Sequence, residues 1–484
     1  MAEGTAAPAI WITRQFIFPA CHPPDTVGRT DRTTHEDTIV KRAQSHSPTR
    51  RIAVIGSGIA GLSAAWMLSG ANEVVIYEAE NRLGGHANTV DVATGSTSTA
   101  VDTGFIVYNE GNYPNLVALF DHLGVATQAS EMSFSASLDG GRLEYSSSAI
   151  MAQPSNILRA RFWRMLRDLT RFYRDAPGLL YRTELQEMTL GEFLDDGGYA
   201  QSFIDDHLLP IGAAIWSASS SQMRDYPLFA FIRFFESHGL LKLAGRPTWR
   251  TVTGGSRSYV DRLAALTPAS LRLGCAAKAV ARGVDGVVVT DAHGHTDRFD
   301  EIVIATHADQ ALTLLADPDA VETELLGAFR YTPNLAVLHT DRSLMPRRRR
   351  AWSSWNYVAG ATGPEDALCV TYWMNRLQNL DRRHPLFVTL NPNQAIASDQ
   401  VLRSFNYNHP LFDKAALKAQ QQLWRLNANR NTWFCGSYFG YGFHEDALQS
   451  GLAVAEALSG VARPWTVAPQ AERIARRPAI EPVP

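Results

Sequence analysis

The sequence predicts an α/β protein, and three observations carry that prediction. A short apolar strand, Arg51-Ile-Ala-Val-Ile55, runs into Gly56-x-Gly58-x-x-Gly61 and then into a helical pattern ending near Leu68. A second strand, Glu73–Tyr77, follows and ends on Glu78. Far downstream, Ile302–Ala305 and Thr432–Gly436 each lead through a loop into a helix, the alternation expected of a parallel sheet.

The first unit is a Rossmann-like dinucleotide fingerprint in its full βαβ setting. Gly56 allows the tight turn out of the strand. Gly58 lets the backbone approach a pyrophosphate, where a Cβ would collide. Gly61 lets the helix pack closely on the sheet. Ile59 and Ala60 lie between them, in the first helical turn, whose free N–H groups and dipole attract the diphosphate. Glu78 stands where a carboxylate accepts hydrogen bonds from an adenosine ribose. A free 2′-hydroxyl suits it and a 2′-phosphate does not, so FAD or NAD is favoured over NADP. The next segment, Arg82-Leu-Gly84-Gly85-His86, offers a second close backbone approach and a cation for phosphate.

Residues 88–110 read as two strands with a turn, ending in Asp102-Thr103-Gly104-Phe105-Ile106, and a helix follows to Leu123. From Asn156 to His238 the pattern is helical and aromatic. Phe162, Met165, Leu166, Leu169 and Phe172 share one face of residues 161–174, with arginines opposite. That stripe reads either as core with a solvated basic face or as a peripheral membrane surface. Thr253-Gly-Gly-Ser256 opens a helix over 258–266. Strands are expected over 271–280, 286–290 and 298–304, then a loop through His307 and a helix over 309–315. Residues 332–410 are rich in strands and aromatics, and the run Arg347–Arg350 reads as a solvated loop. After Thr432–Gly436 comes an aromatic-glycine loop and a last helix over 445–458. Glu445 and Asp446 fall in its first turn, where acids cap.

Composition narrows the class. The chain has 484 residues, 45% hydrophobic and 19% charged, with net charge −3, which makes no electrostatic case for nucleic acid. Cys21, Cys275, Cys369 and Cys435 lie far apart, without metal-ligand spacing, so neither a disulfide framework nor a metal site is expected. No apolar run reaches the length of a spanning helix. A cytoplasmic protein follows, with contact at the inner membrane face under the second reading of the amphipathic stripe. Residues 1–49, rich in Thr, Pro, His and Arg, read as a disordered leader, a transit peptide being the alternative.

These pieces, in this order, resemble the FAD-dependent amine oxidase superfamily over roughly residues 50–465. Four separated motifs carry the resemblance: Gly56-x-Gly58-x-x-Gly61 with Glu78; Arg82-x-Gly84-Gly85; the Ile302-Val-Ile-Ala-Thr306 strand; and Phe434-Cys-Gly436 with Gly442 before the last helix. The chain is similar, more closely, to bacterial NAD/FAD-binding proteins encoded beside, or fused to, cyclopropane-fatty-acyl-phospholipid synthases. Asp102–Asn109, Gly212–Ser217, Thr253–Tyr259 and Gly440–Asp446 carry that likeness.

The resemblance implies an amine-oxidase-type fold: an FAD-binding domain in three segments (50–110, 251–325, 426–465). A mainly helical insertion (111–250) and a substrate-domain sheet (326–425) complete it, with a tail over 466–484. It implies non-covalent FAD. Gly56 to Gly61 and Glu78 would take the ADP half, Arg82, Gly84 and Gly85 the pyrophosphate, and Ala277 the adenine. Thr103, Gly104, Phe105 and Ile106 would pass along the ring, Gly436 and Ser437 along the ribityl arm. Gly442, Phe443 and His444 would bring a helix N-terminus to the ring's carbonyl edge. Two departures stand out. Glu80 and His86 occupy positions where many amine oxidases carry arginines, and the usual lysine beside flavin N5 has Lys242 as its one candidate.

The chemistry implied is hydride transfer to flavin, with His307, Tyr407 and Tyr441 as candidates beside Lys242 and Phe439 as a further ring-lining candidate. Aromatics crowd the expected substrate side. They suit an amine cation as a cage, or an acyl chain as an apolar slot. The expected substrate is an unsaturated or methylated acyl chain of a fatty acid or phospholipid, by the neighbour likeness. The alternatives are oxidation of a small amine, a non-catalytic flavoprotein partner of a lipid methyltransferase, and a redox-neutral isomerase.

Overall fold

The computed structural model describes residues 49–359 and 368–475. Apart from Thr49, the leader expected over 1–49 lies outside them, as do the last nine residues of the tail.

Five parallel strands form the central sheet, in the order Ser270–Arg272, Glu73–Tyr77, Arg51–Ile55, Glu301–Ile304, Thr432–Phe434. Ala53 sits between Val75 and Ile302. The inner residues of the three central strands are apolar because both faces are covered, whereas the edge strand Ser270–Arg272 is largely exposed. Ile52, Val54, Val74, Ile76 and Val303 face one core with the fingerprint helix Ile59–Leu68 and the closing helix His444–Ser459. Ala53, Ile55, Val75, Tyr77, Ile302 and Ile304 face the other, against the antiparallel strands Ala277–Gly283, Gly286–Asp291 and Thr296–Phe299. The two helices touch closely at Gly451, where a methyl group would lie 2.2 Å from the Ala60 carbonyl oxygen.

A second, seven-stranded sheet runs in the order 401–411, 330–339, 387–390, 370–373, 355–358, 134–138, 143–146. Its last two strands come from the segment expected to be mainly helical. Phe134–Leu138 pairs parallel with Trp355–Val358, and its buried Ser135 hydroxyl donates to Asn356 Oδ1 at 2.8 Å. Phe134-Ser-Ala-Ser-Leu138 alternates apolar and polar residues and runs into an Asp-Gly-Gly turn, the pattern of a hairpin strand, and partners from 355–358 fix it in the sheet. The helices Ala160–Leu179 to Leu228–Ser237 follow, with Phe162, Met165, Leu169 and Phe172 buried.

The residues after 465 are tied to the closing helix. Gln449 donates to the Ala471 carbonyl at 2.9 Å, and Arg473 pairs with Asp446 at 3.2 Å. Among the described residues no helix is long and apolar enough to cross a membrane, and no His/Cys/Asp/Glu cluster could hold a metal.

Candidate functional site: a dinucleotide cleft with a histidine-lined wall

The carboxyl ends of the three central strands meet at one loop cluster. Gly56 N–H donates to Tyr77 O, and Ala305 N–H to Ile55 O, both at 2.8 Å. A methyl on Gly61 would lie 1.9 Å from the Gly56 carbonyl oxygen, so this glycine is needed by the fold itself. Gly58 is different: a methyl there would meet nothing within 4 Å. It caps a helix with no side-chain acceptor at its start and no acid in the first turn. The N–H groups of Ile59, Ala60 and Gly61 therefore begin the helix without partners of their own. Open space in front of free helix N–H groups fits a diphosphate. The collision expected at Gly58 would be with such a ligand, not with protein.

Glu78 closes the other side of this cradle. Its Oε2 accepts from the Ser57 N–H at 2.9 Å and the Ser57 hydroxyl at 2.5 Å, and its Oε1 from the Glu80 N–H at 2.9 Å. The double-glycine loop lies directly on the fingerprint, with the Gly84 N–H donating to the Ser57 carbonyl at 3.0 Å. Arg82 is not free for phosphate: it donates to the Gly85 carbonyl at 2.8 Å and pairs with Glu80 at 2.8 Å. Its first task is to hold that loop. Ala277 opens the antiparallel sheet opposite Asp291 and is half-buried.

Thr103–Ile106 is anchored from behind by Asp102, which is fully buried. Its carboxylate accepts from the Thr89 hydroxyl at 2.6 Å, the Ser256 N–H at 2.9 Å, the Ser256 hydroxyl at 2.8 Å and Gln378 Nε2 at 2.9 Å. Burial pushes its pKa up to about 6 against these hydrogen bonds. Sequence reading passed over Asp102, because a lone acid ending a strand carries no signal of its four partners. Gly104 sits where any Cβ would be 2.1 Å from the His86 carbonyl, and the Phe105 N–H donates to that same oxygen at 2.7 Å.

One wall of the site is a group of imidazoles. The His86 ring lies 5.0 Å from Tyr407, 5.7 Å from His409 and 6.0 Å from His307. Tyr407 shares hydrogen bonds with Thr103 Oγ1 at 2.8 Å and Asn88 Nδ2 at 2.9 Å. His409 meets Asn334 Nδ2 at 3.2 Å, and His307 stacks on Tyr331 at 4.5 Å. Burial is the main cause that keeps all three histidines neutral, with mutual repulsion adding to it for His86 and His409; His409 is lowered to about 4. His307 and Tyr407 thus belong to this group, joined by His86 and His409. His409 was legible in principle, since it lies two residues from Tyr407 in one strand and so on the same face.

The closing helix completes the site. Gly436 N–H donates to Ser450 Oγ at 2.9 Å, and Ser437 begins the short turn that follows. The Phe443 N–H donates to Asp446 at 2.9 Å, so Asp446 caps its own helix. Glu445 caps a different one: it accepts from the Asn115 N–H at 3.0 Å and the Leu116 N–H at 2.9 Å, at the start of Pro114–Leu123. His444 stacks on Phe105 at 4.0 Å and shares a hydrogen bond with Tyr259 at 2.6 Å. Two candidates do not join the wall. Lys242 is solvent-exposed. Tyr441 stands 6.2 Å from Phe234, beneath the Arg473 guanidinium. The remaining aromatics divide into local pairs, among them Trp352 with Trp373 and Trp355 with Tyr372, rather than one cage.

The family model described as flavin containing amine oxidoreductase matches residues 59–376, about two thirds of the chain. The chain belongs to this family. It is a flavin-dependent oxidoreductase of amine-oxidase fold. Among solved structures it is similar to a CLA-producing fatty acid isomerase from P. acnes, with TM-score 0.60 and 14% identity, covering 85% of this chain and 98% of that one. It is similar to putrescine oxidase bound to putrescine, with TM-score 0.61 and 14% identity, over 86% of this chain and 100% of that one. Cyclohexylamine oxidase from Brevibacterium oxydans IH-35A gives TM-score 0.61 and 16% identity, over 85% of this chain and 100% of that one. These likenesses establish the fold. Among curated proteins, an L-amino-acid oxidase of Pseudechis australis is 49% identical over 47 residues, and one of Demansia vestigiata 49% over 54. The matched stretches cover 10% and 11% of this chain and only 9% and 10% of those proteins.

Proposed function

We propose that this flavoprotein binds FAD non-covalently and oxidises a C–H bond of an apolar acyl chain, in a fatty acid or phospholipid. FAD, when bound, supplies the hydride acceptor. The fingerprint helix and Glu78 would hold its adenosine diphosphate, and Thr103–Ile106 and the Phe443–His444 turn its ring end. Non-covalent attachment is supported by Cys435, fully buried at the end of the strand Thr432–Phe434, whose thiol burial pushes far above the range where a thiolate forms.

The observation that carries the substrate reading is the neutrality of the wall. His86, His307 and His409 are kept unprotonated, and Tyr407 is hydrogen-bonded to neutral partners. Asp102 is spent on four donors behind the wall, and Asp309, the acid nearest His307 in sequence, is exposed. Glu80, which acts on Tyr407, is paired with Arg82, so an ammonium substrate would find no unpaired carboxylate among these groups, whereas an acyl chain needs none. The protein's own tasks are then to orient the chain, exclude water and offer a neutral imidazole to the proton lost from the carbon next to the one that gives up hydride, so that a C=C bond forms.

Amine oxidation is the second reading, supported by the amine oxidases among the proteins of similar fold. Anaerobic mixing separates the two. Bleaching of the flavin band by monounsaturated or methyl-branched phospholipid, and not by amines, is the expected result. Bleaching by amines alone would replace the acyl reading. Product formed without bleaching would indicate isomerisation.

A further inference from the structure

Two features that the cleft does not use come together on the surface of the helical insertion. The first is an apolar tip. In the turn Pro154–Leu158, Ile157 is 51% and Leu158 89% exposed, and Trp163, one helical turn into Ala160–Leu179, is 48% exposed. Trp163 Nε1 donates to the Ile157 carbonyl at 2.8 Å, so the indole and the turn form one unit. The second is the four-arginine run 347–350. Buried Glu144 brings them side by side. Its carboxylate accepts from the Arg347 N–H at 2.7 Å and Arg348 Nη1 at 2.9 Å. Its carbonyl accepts from Asn156 Nδ2, inside the apolar turn, at 2.9 Å.

The charges left around the tip are predominantly positive, five arginines against exposed Asp139 and Asp205. Arg161 is neutralised by Asp206 at 2.7 Å and Arg167 by Asp168 at 2.8 Å. Arg142, Arg159, Arg164, Arg349 and Arg350 have no carboxylate partner among the described residues. The acids on neighbouring elements are Glu144, spent as above, Asp205 beside the Asp206 pair, and exposed Asp139. A protruding Leu–Ile–Trp tip ringed by unpaired guanidiniums complements an anionic lipid surface: apolar groups enter the acyl boundary, Trp sits at the interface, and arginines meet phosphates.

We infer that the turn Pro154–Leu158 and Trp163 dock the protein on anionic phospholipid bilayers. An amine substrate would leave this surface unchanged, so the docking stands apart from the substrate reading.

Cosedimentation of the full-length flavoprotein with phosphatidylglycerol-containing vesicles, against pure phosphatidylcholine, tests it. Binding to the anionic vesicles alone, weakened by salt, is expected. Leu158→Ser should reduce the partition roughly tenfold or more. Arg349→Gln and Arg350→Gln should each reduce it about fivefold. Leu243→Ser, 68% exposed elsewhere, should change nothing. All four positions are solvent-facing, and unchanged urea midpoints would show the variants folded. Absence of vesicle binding would overturn the inference and leave the tip to a protein partner. Equal binding by wild type and Leu158→Ser, or equal binding to both vesicle types, would overturn it as well.

Discussion

Adding one methyl group at two positions three residues apart should give opposite results. In Gly61→Ala the new carbon would lie 1.9 Å from the Gly56 carbonyl oxygen and 3.2 Å from the Ala305 side chain. A carbon and an oxygen need over ~3 Å, so the helix must move by about 1 Å, and overpacking of this kind costs ~1–3 kcal/mol. In Gly58→Ala the methyl meets nothing, and φ −63°, ψ 175° suits alanine. Loss of a good N-cap and the reduced freedom of the unfolded chain oppose one another, so stability should stay within about 1 kcal/mol. Flavin affinity should behave the other way round. The Gly58→Ala methyl occupies the space proposed for the diphosphate, and a displaced phosphate contact should weaken binding ten- to hundredfold, about 1.4–2.8 kcal/mol. Urea unfolding of the apoproteins measures the first quantity and quenching of flavin fluorescence on titration the second. Undiminished flavin affinity in Gly58→Ala would refute the placement of the diphosphate, and undiminished stability in Gly61→Ala would refute the packing argument.

Acid should destabilise the protein early. His207, His238 and His444 are lowered to about 3 and His339 and His409 to about 4, chiefly by burial. The unfolded chain binds protons at these sites near 6.5, so their contribution is complete above that pH and is lost as pH falls toward 4. Asp102, raised to about 6, acts oppositely, as do Asp206, Glu445 and Asp446, whose carboxyls burial also raises, but these four stand against seven lowered histidines once His86 and His307 are included. Urea midpoints should therefore fall steeply between pH 6.5 and 4, and His238→Phe should reduce the slope. Glu445→Ala leaves the Asn115 and Leu116 N–H groups and Gln449 Nε2 without their acceptor and should cost roughly 3–5 kcal/mol by chemical denaturation, Glu445→Gln less. Lys242→Met should leave the rate of flavin reduction by substrate unchanged in stopped-flow measurements, because the ammonium is in solvent.

The nucleotide half of the fold was legible because it is local. Gly56 to Glu78 is one continuous unit whose apolar strand, glycine spacing and acid all act within thirty residues, and the later strands are unbroken apolar runs. The wall was legible only in pieces. His307 and Tyr407 could be named as candidates, but their neighbours His86 and His409 come from segments hundreds of residues apart, and nothing in either segment announces the meeting. The same holds for Asp102 and Glu445. Each was visible as an acid near a motif, while its partners, at Ser256 and Gln378 in one case and Asn115 in the other, are fixed by tertiary packing. The hairpin 134–146 was legible in principle, since Phe134-Ser-Ala-Ser-Leu138 alternates and an Asp-Gly-Gly turn follows; only the burial of Ser135 and Ser137, against their polarity, depends on the neighbouring strands. Lys242 drew attention through the rarity of lysine in this chain, a compositional cue that says nothing about exposure.

The order of assembly follows from where the central sheet finds its strands. Its edge strand is Thr432–Phe434, and the helix covering Gly61 begins only at His444. A nascent polypeptide emerging from a ribosome therefore makes its fingerprint first and must keep that apolar unit uncovered while some 350 further residues are translated. Until the last segment arrives the cofactor cleft has one side missing. Truncation near the carboxyl terminus should thus abolish loading altogether, and a chaperone that shields the first βαβ unit would act on this protein during synthesis rather than after it.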